Sequence, residues 1–305
     1  MCKREENIMD FAERLRHDMA ERVNSDEEVV VYETAVNNGI QRVALMIRKK
    51  DAIAFEMYPT IYLEELFSMY CDGMPYECVL EKCESINADA QKLAGRNVSW
   101  IKDFEKVEER ICFKLVNSIA NHSLLCESPH RNFHDMAVAY YVFLEANESG
   151  FLSAPVNNYL LEVWNKTEPD LWELAYVNTC KVNPPNFSSL KDKLTELLGD
   201  FSSEHAERSY VLDSSYRTFG TAHVLYESEL RKIAEEVGDD LYFLPTSIHE
   251  WFIVPVSEIE SAKEMSEMAS EYFALGLEEE EVLLSKNIYC YDRQKGFYMI
   301  TEQCI

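Results

Sequence analysis

Glycine is scarce in this chain and it is scattered. The nine glycines stand at 39, 73, 95, 150, 199, 220, 238, 276 and 296, and no two are closer than 18 residues. A phosphate-cradling loop needs several glycines within about half a dozen positions, so neither a P-loop nor a dinucleotide-binding turn can be assembled. The G-x-S-x-G nucleophile elbow and the kinase glycine-rich loop are missing for the same reason. Cysteine pairs at metal-binding spacing are missing too. The nine cysteines form no C-x-x-C, and Cys78 and Cys83, five apart, are poorly placed to share a metal on a helix. An odd, scattered set in a chain of 305 residues is no disulfide framework, and reduced thiols are expected.

Positive charge is in short supply as well. There are 29 basic residues against 55 acidic ones, a net charge of −26. Residues 201–305 hold 21 acidic and 8 basic residues, which is half of that net charge. Such a field repels nucleic-acid phosphates and anionic membrane surfaces, so no direct nucleic-acid binding and no membrane binding are expected. Long apolar runs are absent: the longest, Ala137 to Leu144, is far too short to cross a bilayer. The opening "MCKREENIMDFAERLRHDMAERV" is charged and amphipathic, without the apolar core of a signal peptide. A cytoplasmic location is the expectation.

What is present is ample material for a core, at 47% hydrophobic and 12% aromatic residues. Ile8, Phe11, Leu15, Met19 and Val23 predict an amphipathic helix. "EEVVVYETAV" and "QRVALMIRKK" flank Asn37-Asn38-Gly39, a hairpin signal because asparagine and glycine tolerate positive φ. Helices are predicted over 61–70, 76–94, 105–120, 156–164, 168–180, 188–198 and 227–237. Strands are predicted over 134–145, 209–213, 219–225, 240–244, 248–254, 286–291 and 296–301. Ser257 and Glu260 have the spacing of a capping box, opening a helix to about residue 274. The order is not the strict alternation of a doubly wound sheet. It predicts an α+β fold of mixed sheets with helices packed alongside, with an N-terminal helix-hairpin-helix subdomain over 1–96 and a C-terminal α+β domain over 97–305. One continuous domain is the alternative.

Candidate chemistry concentrates in "LPTSIHEWFIVP", residues 244–255. The H-E there lacks the second histidine of H-E-x-x-H, which excludes that kind of zinc protease. If 248–254 is a strand, His249 shares a face with Ser247 and Trp251, and Glu250 shares the other with Ile248 and Phe252. His130 and His134 have the i, i+4 spacing of two helical metal ligands, but Pro129 and the strand-like segment that follows argue against a common helix face. No metal and no cofactor are expected. Glu260, Glu264, Glu267 and Glu271 recur at spacings of four, three and four, a candidate face for a basic partner. The duller alternative is a solvated helix side.

Several segments, in order, resemble the signature stretches of an uncharacterised domain-of-unknown-function family found mainly in gut-dwelling Gram-positive anaerobes. They are "SPHRNFHDMAVAYY", "LWELAYVNT", "DDLYFLPTSIHEWFIVP" and "NIYCYDRQKGF", together with "NNGIQRVALMIRKK" and "PTIYLEELFSMYCDG" near the start. The matching positions are Pro129, His130, Arg131 and Asp135, then Asn178, then Leu244, Pro245, Ser247, His249 and Glu250. The resemblance implies cytoplasmic, often mobile-element-associated proteins and assigns no reaction, cofactor or catalytic residue. Two functional expectations stand beside each other. The first is an acidic binding protein without turnover that docks a basic protein partner. The second is a small-molecule enzyme or sensor in which Ser247, His249 and Glu250 converge in a pocket with Asn178 and Arg131.

Overall fold

The computed structural model describes residues 6–90, 94–147, 150–199, 207–275 and 280–300, and the fold is α+β. Contacts divide the chain into two compact units. One is Met1–Val36 with Ile40–Lys102, and the other is Asn37–Gly39 with Asp103–Ile305.

The first unit opens on α1 (Ile8–Ala20), capped by the Asn7 side chain, which accepts the Asp10 N–H at 3.0 Å. Phe11, Leu15 and Met19, spaced by four, are all buried on one face of that helix. β1 (Glu27–Ala35) and β2 (Gln41–Lys49) pair antiparallel from Glu27↔Lys49 to Ala35↔Gln41. Asn38 and Gly39 between them hold φ of 59° and 68°, the left-handed region that glycine enters for want of a Cβ and asparagine tolerates. β3 (Glu56–Met57) precedes β4 (Thr60–Tyr62), which extends the sheet beside β2. α2 (Glu64–Cys71) and α3 (Tyr76–Ala90) follow, and β5 (Arg96–Asn97) pairs with β3. Leu45, Leu63, Leu66 and Leu80 join the α1 residues in one core.

The second unit starts with the short helix α4 (Phe104–Val107) and then β6 (Ile111–Asn117). After α5 (His122–Cys126) come β7 (His130–Phe133), β8 (Met136–Asn147) and β9 (Gly150–Pro155). β8 is the centre of this sheet: β6 runs along one side, and β7 and β9 pair with its two halves. α6 (Asn158–Trp164) and α7 (Glu168–Val182) come next; α7 carries a Thr167/Asp170 capping box and a proline in its first turn.

β10 (Pro185–Ser189), α8 (Leu190–Leu198), β11 (Tyr210–Ser214), α9 (Glu227–Val237), β12 (Leu241–Pro245), β13 (Trp251–Pro255), α10 (Ala262–Ala274), β14 (Tyr289–Asp292) and β15 (Gly296–Met299) complete the chain. Their strands form one six-stranded sheet in the order β10-β11-β13-β12-β14-β15. Every residue of β12 is buried, so both faces of this sheet are covered at its centre. Tyr242 and Leu244 pack with Met265 and Ala269 of α10. Phe243 lies edge-on to Trp251 and Phe297, in an aromatic cluster that also takes in Tyr289. The strand pairings among the described residues are all antiparallel, so the sheets are antiparallel where mixed ones are expected from the sequence.

Four local expectations are corrected. The helix expected over 105–120 ends at Arg110, and Ile111–Asn117 is strand β6. Its apolar spacing of four is a multiple of two, so Ile111 and Leu115 share a face in either conformation, and β-branched and aromatic residues tip the balance. The strand expected over 219–225 is a 3-10 turn, Gly220–Leu225, buried along most of its length. The strand expected from 248 begins at Trp251, which leaves Ser247, His249 and Glu250 in the preceding turn. The last is the capping box at Ser257: the cap of α10 is Ser261, whose hydroxyl accepts the Glu264 N–H at 3.2 Å.

Cys78, Cys83, Cys112, Cys126, Cys180 and Cys290 are free thiols. Cys71 is disulfide-bonded, which departs from the expectation of reduced thiols throughout. Among the described residues no helix is long and apolar enough to cross a membrane.

Candidate functional site

The floor of the site is a row of apolar side chains in register across three strands. Val211 of β11 stands opposite Phe252 of β13, which stands opposite Leu244 of β12. α10 brings Met265, Met268 and Tyr272 to the same place, and between helix and floor lies a cleft of about 350 Å³. That volume is in the range of small-molecule sites, and the apolar lining with few polar groups is their usual chemistry. Two polar residues reach the cleft, Thr246 and Glu250, both from the turn between β12 and β13.

That turn is fixed by side chains. The Ser247 hydroxyl accepts the His249 N–H at 3.0 Å, closing a local loop. The Thr221 hydroxyl donates to the Ile248 carbonyl at 2.7 Å, and the Trp251 indole donates to the Thr221 carbonyl at 2.9 Å. His249 Nδ1 accepts the Phe219 N–H at 3.2 Å, and the imidazole stacks on the Phe219 ring. Gly220 makes this approach feasible: a Cβ on it would stand 2.5 Å from the His249 carbonyl oxygen and 2.5 Å from the Asp213 carbonyl carbon.

Glu250 belongs to a charged trio. Lys193 of α8 donates from Nζ to Asp213 at 2.7 Å and to Glu250 at 3.0 Å. Asp213 is buried, and its other oxygen accepts the Asn186 amide at 2.7 Å. The Lys193 side chain is 16% exposed and that of Glu250 is 40% exposed, so the trio runs from a sealed end to an open one. Burial alone would lower the Lys193 pKa, but hydrogen bonds and charge from Asp213 and Glu250 outweigh it and hold the pKa above its ordinary value. Two carboxylates share one ammonium, so the trio carries one net negative charge at its open end.

The five residues expected to converge are distributed over three places. Ser247, His249 and Glu250 share one turn, but the Ser247 hydroxyl meets the His249 backbone and not its ring. Asn178 is buried in α7, where its amide donates to the Glu108 and Ile111 carbonyls at 2.7 and 3.1 Å, tying the helix to the start of β6. Arg131 of β7 donates to both oxygens of Glu168 at 3.1 and 3.2 Å and lies over the Trp172 ring at 4.2 Å. The Tyr140 hydroxyl donates to the same carboxylate. These two side chains serve the β6–α7 and β7–α7 contacts.

The acidic stripe is shorter than its spacing suggests. Glu260 precedes α10, and its N–H donates to the Glu264 carboxylate at 2.7 Å, while Glu267 pairs with Lys263 at 3.6 Å. Glu264, Glu267 and Glu271 remain on the helix. His130 and His134 share no helix: His130 starts β7 and donates to the Ser128 carbonyl at 3.0 Å, and His134 sits in the β7–β8 turn at φ 55° against Phe133. Among the described residues no cluster of histidine, cysteine and carboxylate side chains is arranged to hold a metal.

Sequence reasoning reached Glu250 and missed its partners. Asp213 does leave a trace, a carboxylate at the end of the buried apolar run Val211–Leu212. Asp135, a position carried by the family resemblance, proves to be a clamp: it accepts from Ser285 at 2.6 Å, from Asn287 at 2.8 Å and from the Tyr289 hydroxyl.

Comparison with known proteins adds a single result. The model of a family of unknown function, DUF5688, matches residues 8–293. No curated protein and no solved structure matches the chain.

Proposed function

The chain belongs to the DUF5688 family, and from that premise we propose that it works by binding, without turnover, a small ligand with an apolar body and a cationic head. The body fills the cleft between the six-stranded sheet and α10, and the head meets Glu250. The observation that carries this reading is the position of Glu250: a half-exposed carboxylate at the polar end of an otherwise apolar cleft, its trio one positive charge short of neutrality. This reading locates the cation-binding carboxylate at Glu250 and assigns no role to the α10 stripe. It also favours a small ligand over a basic protein as the partner, because the carboxylate opens into a recess.

Three indole compounds of one shape and different charge test it: tryptamine, tryptophol and indole-3-acetate, titrated calorimetrically. Tryptamine is expected to bind at least about tenfold more tightly than the other two, the worth of one charge-assisted hydrogen bond. Glu250→Gln is expected to reduce tryptamine to the level of tryptophol, and Met268→Trp, filling the recess, to abolish binding of all three. Equal affinity for the three compounds, or binding untouched by Met268→Trp, would overturn the reading.

A further inference from the structure

The ladder between β12 and β13 ends at Pro245↔Trp251, but its register runs on into the turn. Leu244 stands opposite Phe252, so the next residues of that face are Thr246 and Glu250, opposite each other across the mouth of the hairpin. A hydrogen bond joins the two there: the Thr246 hydroxyl donates to the Glu250 carbonyl at 3.4 Å. Both line the cleft under α10. Thr246 is nearly sealed, at 8% exposed, beside the more open Glu250.

What this pair offers a ligand is one-sided. The hydrogen of the Thr246 hydroxyl is committed to the Glu250 carbonyl, which leaves its oxygen with lone pairs only. One Glu250 carboxylate oxygen, Oε2, accepts from Lys193 at 3.0 Å. The other, Oε1, accepts from no group among the described residues, and neither does Thr246 Oγ1. From Thr246 and Glu250 the cleft thus presents two acceptors and no donor.

We propose that the cationic head is a primary ammonium read by its hydrogens, one N–H going to Glu250 Oε1 and a second to Thr246 Oγ1, so that Thr246 sets the specificity of the cleft. This assignment rests on Glu250 as the cation-binding carboxylate and narrows the ligand class to amines without N-alkyl groups. A primary ammonium has three donors, enough for both acceptors. A tertiary ammonium has one and serves only the carboxylate; a quaternary ion has none and keeps only the attraction of charge. The nearly buried Thr246 oxygen then faces a methyl group and is left without a donor. The opposite preference, for N-methylated ions, belongs to cages built of several aromatic faces. Here two rings, Phe252 and Tyr272, line the cleft, and the polar groups it offers the head are acceptors.

The test holds charge and body constant and varies the number of N–H groups. 2-Phenylethylamine, N,N-dimethyl-2-phenylethylamine and trimethyl(2-phenylethyl)ammonium, all cations at neutral pH, are titrated calorimetrically into the full-length protein. The primary amine is expected to bind at least about threefold more tightly than the tertiary one, the lower range of what one hydrogen bond is worth, and the quaternary ion more weakly still. That order runs against the added apolar surface of the methyl groups, which alone would favour the quaternary ion. Thr246→Val is expected to bring the primary amine down to the level of the tertiary one and to leave the tertiary one unchanged, whereas Thr246→Ser keeps the difference. The wild-type order decides the matter whether or not the variants fold. Three equal affinities that all fall with Glu250→Gln would refute the role of Thr246 and leave the cleft reading standing. Tighter binding of the methylated ions would refute it in favour of the aromatic faces, and no binding by any of the three would overturn both.

Discussion

Gly220 and His249 touch through their backbones. A Cβ on Gly220 would lie 2.5 Å from the His249 carbonyl oxygen, and the strand β11 closes the other side at 2.5 Å from the Asp213 carbonyl carbon. Both obstacles are main chain, so no side-chain rotation can relieve them. Gly220→Ala must therefore shift either β11 or the 246–250 turn, at a cost of about 1–3 kcal/mol. Because Glu250 follows His249, the same shift moves the carboxylate of the cleft. The expected outcome is a lowered urea midpoint together with weakened tryptamine binding. An alanine variant as stable as the parent would show that the turn can move freely.

Lys193 holds two carboxylates, one of them buried. Its replacement by methionine keeps most of the length of the side chain and removes the charge, leaving Asp213 sealed in with only the Asn186 amide. Breaking one side of a buried pair typically costs about 3–5 kcal/mol, because the remaining charge has no compensation. Lys193→Met is expected near the lower end of that range, since the lysine keeps some water contact. Adding Asp213→Asn should recover at least half of the loss, as the buried charge is then gone. Equilibrium unfolding of the single and double variants reads both effects, and additive losses would contradict the account.

The elements of this fold that local patterning can specify were legible in the sequence. α1, β8, α7 and α9 follow their apolar periods and caps, and the β1–β2 pairing follows from Asn38 and Gly39. β6 is not legible in this way because a spacing of four suits a helix and a strand alike; Ile119, the last residue of that series, is 84% exposed beyond the strand. The 219–225 segment is illegible for another reason: its 3-10 turn depends on Gly220 fitting between two other backbone segments, a fact of tertiary packing that leaves no periodic mark. The site divides in the same way. Glu250 was named from its own neighbourhood, whereas Lys193 is 57 residues away from it and Asp213 lies on a different strand. Asn178 and Arg131 came from a family resemblance, and the structure gives each a packing role that resemblance could not distinguish from a binding one.

His223 sets an acid limit on stability. The side chain is fully buried in the turn that carries Gly220; its Nδ1 lies 3.9 Å from the Cys180 thiol, and its Nε2 has no partner. Burial lowers its pKa from the ordinary 6.5 to about 4, against smaller opposing effects from the nearby Asn183 backbone and the charges of Glu229 and Asp213. In the unfolded chain the imidazole takes its proton near pH 6.5, while in the folded chain it resists until about 4. Between those values the unfolded state binds more protons, so stability rises with pH across the window. Above about 6.5 the group favours neither state. As pH falls toward 4 it withdraws up to roughly 3 kcal/mol, the free-energy equivalent of the shift. His223→Gln removes the titration, so the variant's loss of stability between pH 7 and pH 4.5 should be smaller than the wild type's by about 2–3 kcal/mol. Denaturant unfolding of both proteins at the two pH values measures that difference. An equal acid loss in the two would mean that His223 takes up its proton without leaving the core.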